Sequence, residues 1–217
     1  MRLPLRLCLA STLVFSATAM LASDHAAPPF EDASHYAAND NHPDEHVVIA
    51  AEPFDTKKKT EIFRVDYLKH KFMPIRIIVT NNSDAKISLE QARIHFITAN
   101  GQVIPAAEPD DVDRRMTDIS NTGRKIPMPA PLPPLGGKPK TPDAKIQQDF
   151  DQFEYADISV APHTTKAGFL FYDMQGLGSE PLLGAKLEFR KVQDVDGKEL
   201  FSFEIPFDSY LAAEKKK

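Results

Sequence analysis

Apolar residues in this chain recur at every second position, in short runs ended by proline or turn-forming residues. Ile75, Ile77 and Val79 share one parity; so do Phe169 and Phe171, Leu187 and Phe189, and Phe201, Phe203 and Ile205. A period of two puts alternate side chains on one side of an extended strand. Runs this short bury little by themselves, so several must pool their apolar faces between packed sheets. The pattern predicts an all-β chain, and the composition excludes a coiled coil.

The strands can be placed in order. His46 to Ala51 is a short apolar strand before Pro53, and Ile62 to Leu68 alternates with Phe63, Val65 and Tyr67 on one face. Ile75, Ile77 and Val79 follow Pro74, and Asn81-Asn82-Ser83-Asp84 supplies a turn. From Ile87 to Thr98 the parity slips: Ile87 and Leu89 keep one phase and Ile94 and Phe96 the other. A one-residue slip near Glu90 and Gln91 signals a bulge or a strand that changes sheets. Asn100-Gly101 predicts a type I′ hairpin turn, and the Asp196-Gly197 pair a second hairpin between Leu187/Phe189 and Phe201/Phe203/Ile205.

Between residues 108 and 155 the strand pattern stops. Asp110 to Ser120 reads as a helix with acidic residues in its first turn. Pro127 to Pro142 carries seven prolines in sixteen residues, which cannot feed a sheet ladder and predicts a loop of polyproline character. Thr141-Pro142-Asp143 then caps a short helix whose Ile146, Phe150 and Phe153 recur at helical spacing, placed at the sheet edge. Many short strands, two hairpins and a phase slip describe a Greek-key β-sandwich with one long Pro-rich insertion and one or two short helices.

The two ends differ from the centre. Arg2 and Arg6 precede an apolar run from Leu7 to Ala22, the make-up of a secretory signal peptide over residues 1–22. Cleavage after Ala19, Ala22 or Ser23 is compatible with the residues there. The run is too short for a membrane span of about 20 residues, and none follows it. The expected location is outside the cytoplasm, secreted or periplasmic. Removal of the signal changes the net charge from −5 to −7 by loss of two arginines, and also removes Cys8, the chain's one cysteine. A mature chain without thiols has no disulfide, no cysteine nucleophile and no thiolate metal site. Its acidic balance, with no concentrated basic face, argues against nucleic acid as a partner. Residues 23–45 are polar and lack a period, which predicts a flexible His/Asp-rich arm before a sandwich over 46–211. The last residues, 212–217, read as a Lys-rich tail.

Two stretches carry a family likeness. Phe72-Met73-Pro74-Ile75-Arg76-Ile77-Ile78-Val79-Thr80-Asn81 resembles an immunoglobulin-like strand leading into its turn. Pro162 to Phe171 resembles the proline-to-glycine crossing before a late strand in secreted bacterial sandwich domains. With Asn100-Gly101 and the closing Phe201 to Phe207, the chain from about 46 to 211 is similar to uncharacterised secreted bacterial proteins with an immunoglobulin-like core. That resemblance implies a fold and carries no catalytic residues.

Motifs for chemistry are sparse. There is no Gly-x-Ser-x-Gly elbow, no Gly-x-x-x-x-Gly-Lys loop and no His-Glu-x-x-His, so the expectation is a non-enzyme without a cofactor. Asn81-Asn82-Ser83 is formally a glycosylation sequon, and Asp194-x-Asp196-Gly197 echoes the start of a calcium loop; both read better as turns. Two binding features stand out. Met128, Pro131, Leu132, Pro134 and Leu135 form an apolar, preorganised stretch suited to a protein partner's groove. His25, His35, His42 and His46 lie among carboxylates and form a candidate copper, nickel or zinc set. A mature start at Ser23-Asp24-His25 would add an amino-terminal copper/nickel pattern.

Overall fold

A computed structural model describes residues 25–121 and 143–216, with side chains omitted for 117–121. Ten strands and four helices follow in chain order: β1 (Asn39–His42), β2 (Val47–Pro53), α1 (Lys57–Thr60), β3 (Phe72–Asn81), β4 (Ile87–Ser88), β5 (Arg93–Ile97), β6 (Val103–Pro105), α2 (Pro109–Asn121), α3 (Ala144–Phe153), β7 (Ser159–Val160), β8 (Thr164–Asp173), β9 (Lys186–Arg190), β10 (Phe203–Pro206) and α4 (Asp208–Glu214). They make two four-stranded antiparallel sheets, ordered β1-β2-β3-β8 and β10-β9-β5-β6, with β4-β7 as a separate pair.

The main core lies between the two sheets. Ile75, Ile77 and Val79 of β3, with Leu170 and Tyr172 of β8, meet Phe96 of β5, Leu187 and Phe189 of β9, and Phe203 and Ile205 of β10. All ten residues of β3 are buried, so its second face is covered as well. Phe169 and Phe171 point away from the main core into an aromatic cluster with Phe54, Phe63 and Tyr67, roofed by Val112 of α2 and Ile146, Phe150 and Phe153 of α3. The insertion between β6 and β7 thus supplies a third layer. Asp143 starts α3 by accepting a hydrogen bond from the Lys145 amide.

Several expectations change. The helix 144–153 packs on the sheet's outer face, not its edge, because Phe169 and Phe171 present two rings there that need cover: Phe150 stacks on Phe171 at 4.5 Å between centroids. The alternating run 62–68 forms no strand. Its backbone is held to α3 instead, with the Arg64 amide donating to both Asp149 carboxylate oxygens at 2.9 and 3.1 Å. Phe63 and Tyr67 therefore fall together in the aromatic cluster.

The segment 23–45, read as a flexible arm, contains sheet structure from residue 39. Asn39 to His42 pair with Val47 to Ala50. Just upstream, the Ala33 amide donates to Thr80 Oγ1 at 2.9 Å. Small residues explain the fit: Ala33 packs against Val48, Ala50 and Ile78 on the second face of the sheet. The C-terminal residues also extend the expected boundary at 211, since α4 continues to Glu214.

The phase slip after Ile87 marks a change of sheet: β4 pairs with β7 and β5 with β9. Asn100-Gly101 does make a hairpin, but not a type I′ turn. Gly101, at φ +81°, has positive φ and Asn100 does not. The Gly101 amide donates to the Thr98 carbonyl and the Thr98 amide to Gln102, a three-residue loop with glycine in the left-handed position. Gly197, at φ +78°, repeats this geometry against Asp194.

One close approach locks the third layer to the sheet. The Tyr155 amide donates to the Phe169 carbonyl at 3.0 Å, and a Cβ on Gly168 would lie 2.5 Å from Tyr155 Cα. Backbone cannot yield as a flexible side chain does. Gly168→Ala is expected to destabilise the fold by about 2 kcal/mol, read as a lowered urea midpoint with unchanged slope; an unchanged midpoint would show that the 154–155 segment is not fixed there.

Candidate functional site

The four candidate metal histidines are dispersed. His25 Nδ1 lies 2.9 Å from the Ile62 carbonyl, and exposed His35 pairs with Glu31 at 3.0 Å. His46 sits in the β1–β2 turn with φ 55°, and its carbonyl accepts from the Asn82 amide. Among the described residues no group of three or more His, Cys, Asp or Glu is arranged to hold a metal ion. Ser23 and Asp24 of the amino-terminal pattern, and Met128, Pro131, Leu132, Pro134 and Leu135, lie outside the described residues.

His42 alone is built into a network. At one side of the sandwich β1, the edge of the first sheet, meets β10, the edge of the second. Side chains from around β1 cap the backbone of the other edge: Asp40 Oδ2 accepts from the Glu204 amide at 2.7 Å, and Glu45 Oε1 from the Phe201 amide at 2.9 Å. His42 stands between the same two carboxylates, Nδ1 at 2.9 Å from Glu45 Oε2 and Nε2 at 3.3 Å from Asp40 Oδ2. Ionised carboxylates only accept, so both contacts are satisfied together when the ring carries two N–H groups. The ring also stacks on Phe203, 3.9 Å between centroids and 15° from parallel.

These contacts occupy N–H groups that an open sheet edge would offer to other chains. They also leave a recess. Residues 41–45, Phe201 and Ser202 line an open volume of about 390 Å³. Phe201 was expected to share the inward face of Phe203 and Ile205, which are fully buried; it is 79% exposed. β10 begins only at Phe203, and Glu45 holds the Phe201 amide before strand pairing starts.

A larger cleft, about 410 Å³, opens where the start of α2 faces β6 and the end of β8. Its arginines are already engaged, Arg114 with Asp111 and Arg115 with Asp173. Other polar groups have structural work. Asn81 is fully buried and donates to the Ala85, Val160 and Ala161 carbonyls, so the sequon asparagine is inaccessible to a glycan. Asp194 Oδ1 accepts from the Asp196 and Lys198 amides, which makes the calcium-like stretch a self-capped turn. No family model, curated protein or solved structure matches the chain.

Sequence reasoning missed Phe201, Asp40 and Glu45 as site residues. The spacing Asp40-x-His42-x-x-Glu45 was visible, but only the turn after β1 brings both carboxylates to one imidazole. If the network holds the two edges together, His42→Ala should cost about 1–2 kcal/mol. It should also speed hydrogen exchange at the Phe201 and Glu204 amides selectively; uniform or unchanged exchange would count against the latch.

Four buried phenols set an alkaline limit. Burial pushes Tyr67, Tyr155, Tyr172 and Tyr210 well above the ordinary range, helped by the negative charges of Asp149 at Tyr67, Asp157 at Tyr155 and Asp55 at Tyr210. The folded chain keeps protons that the unfolded chain releases near pH 10, at about the free phenol value. Their contribution is complete below that pH and is lost as pH rises above it. In a Tyr36→Phe variant, which leaves only these four phenols, phenolate absorbance should therefore appear together with loss of β-sheet circular dichroism; phenolate formation in that chain while still folded would contradict this.

Proposed function

We propose that this chain is a secreted or periplasmic, non-catalytic protein-binding or envelope accessory domain of immunoglobulin-like Greek-key type. Strand order supports the fold. β2, β3 and β8 neighbour one another in one sheet, and β10, β9, β5 and β6 in the other. With β2, β3, β5, β6, β8, β9 and β10 labelled A, B, C, C′, E, F and G, the orders A-B-E and G-F-C-C′ support an immunoglobulin-like reading, with β1 added beside A. The signal-like segment 1–22 supports export.

The partner-facing element is the Pro-rich segment with Met128, Pro131, Leu132, Pro134 and Leu135. The observation that carries this reading is how its flanks are anchored. The Asp143 amide donates to Asp113 Oδ1 at 3.1 Å, so the chain returns beside the first turns of α2. From residue 113 to the end of α2 at 121 is about 12 Å at the helical rise. The described residues on either side, Asn121 and Asp143, are thus near each other, and α2 and α3 already supply Val112, Ile146, Phe150 and Phe153 to the aromatic cluster. That the described flanks already fill this side of the core supports reading the apolar segment between them as available to a partner.

Deleting 127–140 leaves seven residues, 122–126 and 141–142, enough to span about 12 Å. The shortened protein should melt within about 2 °C of the full chain, a shift on the order of 1 kcal/mol or less, and lose capture of its envelope partner. Capture undiminished by the deletion would refute the assignment. The mass of the exported protein should correspond to a start after residue 19, 22 or 23; a retained residue 1 would refute the export reading.

A further inference from the structure

The recess beside β1 and β10 has the chemistry of a receptor for a cation. Phe201 is the most exposed large apolar side chain among the described residues. Its backbone is nevertheless fixed, because the Phe201 amide is bound by Glu45. Its ring therefore stands in water on a backbone held in place. Also lining the recess, exposed Asp44 has no hydrogen-bond or ion-pair partner among the described residues. The neighbouring carboxylates, Asp40 and Glu45, are shared with one imidazole and two amides. Even with His42 counted as a cation, Asp40, Asp44 and Glu45 leave the recess net negative. The aromatic face attracts a cation through its quadrupole, and the unpaired carboxylate supplies a counter-charge.

We propose that this recess binds an arginine side chain of a partner polypeptide, its guanidinium lying on the Phe201 ring and donating to the Asp44 carboxylate. Arginine suits the pair of features better than lysine, because a planar fork stacks on a ring while hydrogen bonding at its edge. The acidic balance of the chain favours the approach of such a partner. A second copy seated through Phe201 alone would be an apolar contact and would leave Asp44 unanswered. The site shares no residue with the Pro-rich segment, and its test does not depend on that reading.

The test is an amide chemical-shift titration of the mature chain with the tripeptide acetyl-Ala-Arg-Ala-amide, beside the uncharged citrulline analogue. Saturable shifts confined to residues 41–45 and 201–204 are expected for the arginine peptide, with millimolar affinity that weakens in 0.5 M salt. Phe201→Ser and Asp44→Asn should each weaken binding at least fivefold, with melting temperature unchanged because both side chains are exposed. Equal shifts from the citrulline peptide, or binding unaffected by either substitution, would overturn the proposal. So would shifts spread over carboxylates across the surface. Concentration-dependent shifts at Phe201 without peptide, abolished by Phe201→Ser, would assign the recess to self-association and also overturn it.

Discussion

The ten-residue antiparallel ladder between β3 and β8 is the constraint on which the other layers depend. Phe72 to Asn81 pair without interruption against Asp173 to Thr164, and β3 is buried along its whole length. Backbone groups so far from water must be paired within the protein. The ladder does this for one side of β3, and β2 does it for the other from Val47 to Pro53. With both sides and both faces of β3 covered, the second sheet packs on one face. The aromatic layer packs on the other, and the N-terminal residues fold against what remains.

The polar residues within β3 show how that last part is organised. Arg76, nearly fully buried, donates to Glu52 at 2.6 and 3.0 Å. It also donates to the Pro28 and Pro29 carbonyls and to the Tyr36 hydroxyl. Thr80 accepts from the Ala33 amide and bonds Thr165. A guanidinium with five donors on a buried face is costly unless each donor finds an acceptor. The backbone of 28–29 provides two, so the N-terminal segment serves as part of the solvent for a buried charge. Asp149 plays the reciprocal part on the aromatic side, fully buried and neutralised by Arg64. The two ion pairs orient segments that short-range sequence pattern leaves undetermined.

Edges impose the remaining design. On one side the sheets approach through Ala106 and Tyr172, with the Ala107 amide bonded to the Phe171 carbonyl at 2.7 Å. On the other, no backbone bridge closes the gap among the described residues; Asp40, Glu45 and His42 do so with side chains. Side-chain closure costs more ordering entropy than a backbone ladder, and it leaves charge and an aromatic ring at the surface. That combination distinguishes the β1–β10 edge from the β6–β8 edge.

Much of the sandwich was legible in the sequence because a period of two is a local property. The strands around residues 46–51, at Ile75, Ile77 and Val79 and at Phe169 and Phe171, the phase slip near Glu90 and the helical face of Ile146, Phe150 and Phe153 follow from side-chain direction alone. The alternating residues 62–68 misled for the same reason: periodicity reports which residues are apolar, whereas Asp149, eighty-five positions from Arg64, decides that this backbone turns instead of pairing. Likewise, nothing local separates Phe201 from Phe203 and Ile205, which share its parity. Its exposure arises because a carboxylate from the opposite sheet takes its amide first. Sequence by itself determined most of the longer strands and the residues able to fill a core, but neither β1 nor the turn at 62–68. Tertiary structure decided which edges meet, which buried charges are answered and which ring stays in water, because each of those depends on a partner brought near only by the completed fold.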